Sequence, residues 1–193
     1  MDTDAPTTTE EEMRREERTI IDMQAAATEN REAGIKRGKT GVRKHLKEFQ
    51  ALHTTLADAA LAFREHTSIS FRECTSVIDT LQALRKQTNA CLKFLRSVWA
   101  IFPGMTSYFS ATNSLYLLDG EKTARLILEM DLFQSLMIRA TSEDLSHARQ
   151  RIDMHVALER RLKDEAKYLG ELVSHLEELL TEDSSPPISS RSK

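Results

Sequence analysis

Every seventh residue from Val42 reads Val42, Phe49, Leu56, Phe63, Ser70, Val77, Leu84, Cys91 and Val98, with only Ser70 polar. The row four residues later is Leu46, His53, Ala60, Thr67, Cys74, Leu81, Thr88, Leu95 and Phe102, apolar at six of nine positions. Two rows offset in this way merge into one stripe along a helix, the pattern of a coiled-coil or bundle element. A similar stripe runs through Ile138, Leu145, Ala148, Ile152, His155, Leu158, Leu162, Leu169, Val173, Leu176 and Leu180. Its polar face carries charge pairs at helical spacing, such as Glu121 with Arg125 and Glu159 with Lys163.

Glycine and proline divide the chain around these stripes. Gly34, Gly38 and Gly41 cluster, Pro103-Gly104 and Asp119-Gly120 follow, and only Gly170 interrupts 121–180. Both residue types penalise helix interiors, so 42–102 and 121–181 each read as one long helix, roughly 90 Å at 1.5 Å per residue. The spacing of "TSED", Thr141 to Asp144, resembles a capping box and allows a break near 141–143. The fold class expected is all-α: an elongated antiparallel helical hairpin or coiled coil, with 103–120 as an aromatic-rich corner. Thr9 and Glu12 fit a capping box that opens an additional N-terminal helix over 9–33, thin in apolar residues. Segment 34–41 then reads as a glycine-rich basic linker, and the Ser, Thr, Pro and acid-rich ends, 1–8 and 182–193, as disordered tails.

One stretch offers a rival reading. "AGIKRGKT", Ala33 to Thr40, fits the loose phosphate-loop pattern, and "LYLLD", Leu115 to Asp119, resembles a magnesium-binding strand. A phosphate loop needs a buried strand delivering a glycine turn to a helix N-terminus. The preceding "AAATENRE" is polar and helical, and the heptad helix leaves no room for a parallel sheet. A nucleotide-binding protein is therefore the remote alternative, and no enzyme activity and no cofactor are expected. Six histidines lie apart along the helices with no paired-ligand spacing, so no metal is expected either. Cys74 and Cys91 lie on the apolar stripe, where a thiol behaves as a small hydrophobe.

The net charge of −3 argues against nucleic acid as a partner. The start has no secretory signal and carries Asp2 where myristoylation needs glycine, and no run is long enough to span a membrane, so a cytoplasmic protein is expected. Peripheral membrane association through a complex, or contact of 34–47 with acidic lipid, stays open.

Apolar surface concentrates at the corner. Phe94, Trp99, Phe102, Tyr108, Phe109 and Tyr116 are six of the chain's eleven aromatics, and nine of thirteen residues in Leu126–Ile138 are apolar and face every direction. A helix apolar all round needs several neighbours, more than one hairpin supplies. Either 105–118 and the N-terminal helix fold over it, or another subunit does; a partner is the expectation. The candidate partner-binding residues are Val77, Leu81, Leu84, Leu95, Trp99, Phe102, Tyr108, Phe109, Leu126, Ile127, Met130, Phe133 and Met137. If the two long runs pair antiparallel with residue numbers summing to about 223, Thr67, Ser70 and His155 meet as a polar layer that fixes register.

The run "FREHTSISFRECTSVIDTLQALRKQTNACLKFLRSVWAIFPGM", residues 63–105, resembles the KxDL-type and related small coiled-coil subunits of the BLOC-1 and BORC complexes. They share a long heptad helix ending in a basic-hydrophobic stretch and a proline; the Lys-x-Asp-Leu signature itself is absent here. The resemblance implies a non-catalytic subunit that intertwines with other helical subunits to position lysosomes, endosomes or vesicles. The reading from the residues is a scaffold or adaptor in a hetero-oligomer, with a homodimer also open. A cytoskeletal or kinetochore complex subunit is the alternative.

Overall fold

The computed structural model describes residues 7–66, 69–102, 105–139 and 145–182. All regular structure among them is helical: α1 (Thr7–Glu65), α2 (Phe71–Val98), a 3-10 turn (Trp99–Ile101), α3 (Thr106–Leu118), α4 (Glu121–Arg139) and α5 (Leu145–Thr181). The tails, Thr67 and the Thr141–Asp144 motif fall wholly or mostly outside the described residues. Glu182, placed in the C-terminal tail by composition, is described and bonded into the fold.

The helices form four antiparallel columns. Residue numbers in contact between α1 and α5 sum to about 223: Gln50 Nε2 donates to Glu177, and the His53 ring lies against Gly170. The third column is α3 followed by α4, and both keep one register on α5. Ser114 meets His175, Thr123 meets Glu165, and Glu129 pairs with Arg161, all near a sum of 289. Across the bundle α2 runs against the same column, with Arg96 on Tyr116 and Thr75 on Gln134. The core seals around Phe49, Leu56, Leu81, Leu84, Leu115, Leu118, Met130, Leu162, Leu169 and Leu176, all fully buried. Each such side chain contributes about 1.5–3 kcal/mol.

Two boundaries differ from the sequence reading. The 42–102 run is not one helix; it breaks after Glu65, and α2 starts afresh at Phe71. Ser70 is the N-cap: its hydroxyl accepts from the Glu73 amide, and the Glu73 carboxylate accepts from the Ser70 amide at 2.6 Å. Ile69 before the cap and Cys74 at the fourth helical position are both buried, the two positions of a hydrophobic staple. These bonds satisfy the free amides of a new helix start, which lets the chain reverse without glycine or proline. The aromatic-rich corner 103–120 contains a helix of its own, α3.

The opposite correction applies to 34–41. This segment is not a linker; α1 runs through it from Thr7, two residues ahead of the capping box expected at Thr9. Gly34, Gly38 and Gly41 lie at helical spacing on one side, and aromatic rings sit where side chains at Gly38 and Gly41 would be. A Cβ on Gly38 would come within 3.0 Å of Phe102 Cζ, and one on Gly41 would overlap the Phe94 ring. At Gly34 the nearest group, Ile101 Cδ1, is 3.9 Å away, an ordinary contact. Gly38 and Gly41 are notches that admit the end of α2, and there the packing outweighs roughly 1 kcal/mol of helix propensity lost at each.

A buried carboxyl group on α5, that of Glu165, faces the third column. Thr123 Oγ1 lies 2.8 Å from the Leu118 carbonyl and also hydrogen-bonds Glu165 Oε1. One hydroxyl has one proton, so if Thr123 donates to Leu118, Glu165 must donate to Thr123, which requires a protonated carboxyl. Burial pushes the Glu165 carboxyl above the ordinary value of 4.5, while Thr123 and Lys122 act the other way. A raised folded-state value means stability is fully present below the unfolded value and is lost as pH rises through the folded one.

Two outcomes follow from this packing. Gly41→Ala should destabilise the fold by about 1–3 kcal/mol in urea titrations, because Phe94 must move, whereas Gly34→Ala should be neutral or stabilising by up to about 1 kcal/mol. Glu165→Gln, which mimics the protonated group, should be more stable than the parent chain at neutral pH. The gap between the two melting curves should narrow as pH falls toward 4.5.

Candidate functional site

The bundle itself covers most of the surface expected to meet a partner. Val77, Leu81, Leu84, Leu95, Phe102, Tyr108, Leu126, Ile127, Met130 and Phe133 are buried, and Met137 is half-buried against the same core. The helix that is apolar all round is covered on two sides by α2 and α5, while Leu128, Leu132 and Ile138 stay exposed. Only Trp99 and Phe109 of the thirteen stay open to solvent, at 64% and 59% exposure.

These two mark one end of the bundle, where α2 finishes and α3 begins. Arg96, one turn before Trp99, donates from Nη2 to the Tyr116 hydroxyl at 2.6 Å, with its guanidinium carbon 5.6 Å from that ring's centroid. Tyr116 and Phe109 are seven residues apart on α3 and share its outer side, with Leu117 also exposed. The inner side is anchored: the Tyr108 hydroxyl donates to the Leu95 carbonyl at 3.0 Å, and Phe102 stacks on Tyr108. Rigid aromatics around a fixed arginine are the residue types enriched at binding hot spots.

The same end is clasped by polar bonds. Lys39, the would-be phosphate-loop lysine, donates from Nζ to the Glu182 carbonyl at 3.2 Å, just beyond the C-terminus of α5. The Glu182 carboxylate accepts from the Ser107 amide and hydroxyl in the first turn of α3. A carboxylate at a helix start and an ammonium at a helix end both suit the helix dipoles. Ala33 to Thr40 is therefore uninterrupted helix with its lysine engaged in packing, not a turn following a strand. Lys36, Arg37, Arg43, Lys44 and Lys47 face solvent beside it.

Thr67 of the expected polar layer lies outside the described residues, and its other two members take separate partners. Ser70 is occupied in capping α2, and His155 instead donates from Nε2 to the Phe63 carbonyl at 2.6 Å, its ring stacked on Phe63 at 5.1 Å. His155, Phe63, Phe133, Ile69 and Arg151 line a cavity of about 600 Å³ at the far end of the bundle. Burial pushes the Cys74 thiol up to about 11 and that of Cys91 to about 12, so neither forms a reactive thiolate near neutrality. Among the described residues no group of three His, Cys, Asp or Glu side chains converges as a metal site, and no helix is long and apolar enough to cross a membrane.

The largest feature missed by the sequence reading is the projection of α1. Residues 13–33 are exposed throughout, and this arm leaves the bundle at the aromatic end, where Gly34 meets Ile101. The glycine cluster concealed it, because a break was expected where the helix continues. No known protein family, curated protein or solved structure matches the chain.

Proposed function

We propose that the chain is a non-catalytic scaffold or adaptor subunit that joins other helical proteins in a complex. The observation that carries this reading is the aromatic end: Trp99, Phe109, Tyr116 and Leu117 are exposed, Arg96 is bonded to Tyr116, and their chain neighbours Phe102, Tyr108 and Leu115 are buried in the core. A preorganised apolar patch of this kind loses little conformational freedom on docking. Further apolar side chains are open on α4 at Leu128 and Leu132, giving the head more than one contact face.

The elongated, coiled-coil element of the reading rests on the arm, which extends the first column beyond the bundle. The resemblance of 63–105 to small subunits of lysosome- and vesicle-positioning complexes supports an organelle-positioning role at a cytoplasmic membrane face. The partners in that role are other helical chains.

The test is affinity purification of the tagged full chain, with Trp99→Ala/Phe109→Ala beside it. Partners recovered with the parent should be lost or bound roughly 30-fold more weakly by the double variant, about 2 kcal/mol at a hot spot. Its circular dichroism and melting curve should stay those of the parent. An unchanged partner set would contradict the reading.

A further inference from the structure

The arm carries an apolar strip that continues the core-facing seam of α1. At 100° per residue Met13, Ile20 and Ala27 project within about 60° of the direction taken by Gly38, Val42, Phe49, Leu56 and Phe63. From Gly38 onward this side is covered by α2, α5 and the 3-10 turn. Beyond Gly34 and Ile101 the cover ends, and Met13, Ile20 and Met23 stand 59%, 49% and 60% exposed. An amphipathic helix draws most of its stability from packing its apolar side, so this strip is built for a neighbour.

We propose that the neighbour is the arm of a second copy of the chain, running antiparallel, with Ile20 of one copy beside Met23 of the other. This rests on the reading of the chain as an interaction protein and adds its partner. Three features select a second copy. Met13, Glu16, Ile20, Met23, Ala27 and Asn30 follow alternating steps of three and four, the seam of a two-stranded coil. Ile20 and Met23 lie at the middle of that seam, so a two-fold axis between them places the largest apolar groups of each copy on each other. Polar Glu16 and Asn30 flank them on both sides, which confines the pairing to the arm.

Charge sets the direction. The outer part of the arm, 10–17, holds five acidic and two basic residues, and its root, 31–37, holds three basic and one acidic. Antiparallel pairing brings each acidic tip toward the partner's basic root, whereas parallel pairing stacks acid on acid and base on base. The two heads then sit at opposite ends of the paired arms. Their arm roots are then separated by about 38 Å at 1.5 Å per residue.

Sedimentation or light scattering of the full chain at micromolar concentration should show a dimer, weakened by added salt because exposed tip-to-root attraction is screened. Ile20→Asp should raise the dissociation constant at least tenfold and leave the melting of the bundle unchanged. Trp99→Ala/Phe109→Ala, which tests the reading of the head, should leave dimerisation intact. Register is read by mixing Ile20→Cys with Met23→Cys under mild oxidant: the mixed disulfide should outpace either symmetric one. A chain that stays monomeric at high micromolar concentration overturns the proposal, even if other proteins bind the arm, and so does preferential Ile20→Cys self-crosslinking, the mark of parallel pairing.

Discussion

The arrangement depends on how closely α1 and the end of α2 approach each other. Phe94, Ile101 and Phe102 occupy the side of α1 where Gly41, Gly34 and Gly38 present no side chain. Steric exclusion of this kind is stiffer than any single polar contact, since interiors pack at crystal-like density and a ring has nowhere else to go. It fixes the longitudinal register of α1 on α2, and the point at which α1 emerges from the bundle follows from it. Lys39 and Glu182 add a polar clasp at the same level, tying the first turn of α3 and the end of α5 to this joint.

The second constraint is the shared register of α3 and α4 on α5. Asp119 and Gly120 interrupt the helix, yet pairings before and after them obey the same offset. The interruption works as a joint rather than a change of direction, and it is braced by Thr123 on the Leu118 carbonyl. Because the third column stays in line, α2 and α5 flank it over both segments, and Leu126, Ile127, Met130 and Phe133 are covered from within the chain while Leu128 and Leu132 stay exposed. A chain with this much apolar surface near its corner thus needs no partner to close its core. What is left for partners is a smaller set of side chains, held rigid by the buried neighbours on the same helices.

Function in this reading follows from what the bundle leaves uncovered. The aromatic end and the arm share one root, so a partner on the head and a second copy on the arm would both be read against the joint made by the three glycines. The cavity beside His155 lies at the opposite end, and its histidine is committed to a backbone carbonyl and to the Phe63 ring. The sequence showed polar residues inside a stripe there, but a polar residue in a heptad can break the helix as readily as join a layer. Ser70 does the first, and the cue was on view: Ser70 and Glu73 have capping-box spacing, with Ile69 and Cys74 at the staple positions. An unbroken heptad on either side outweighed that cue because one polar position in nine is common in long helices.

By itself the sequence determined that the chain is helical, where its apolar stripes run, and that Ala33 to Thr40 has no strand to serve. These properties are local, set by periodicity, propensity and capping within a few residues. Only the tertiary structure decided whether a glycine ends a helix or makes room for a neighbour, and whether an apolar side chain meets its own chain or solvent. The reason is physical: a glycine in a helix carries a local penalty whatever its surroundings, and its compensation comes from Phe94 and Phe102, more than fifty residues away. Local signals carry the penalty, and distant packing carries the compensation.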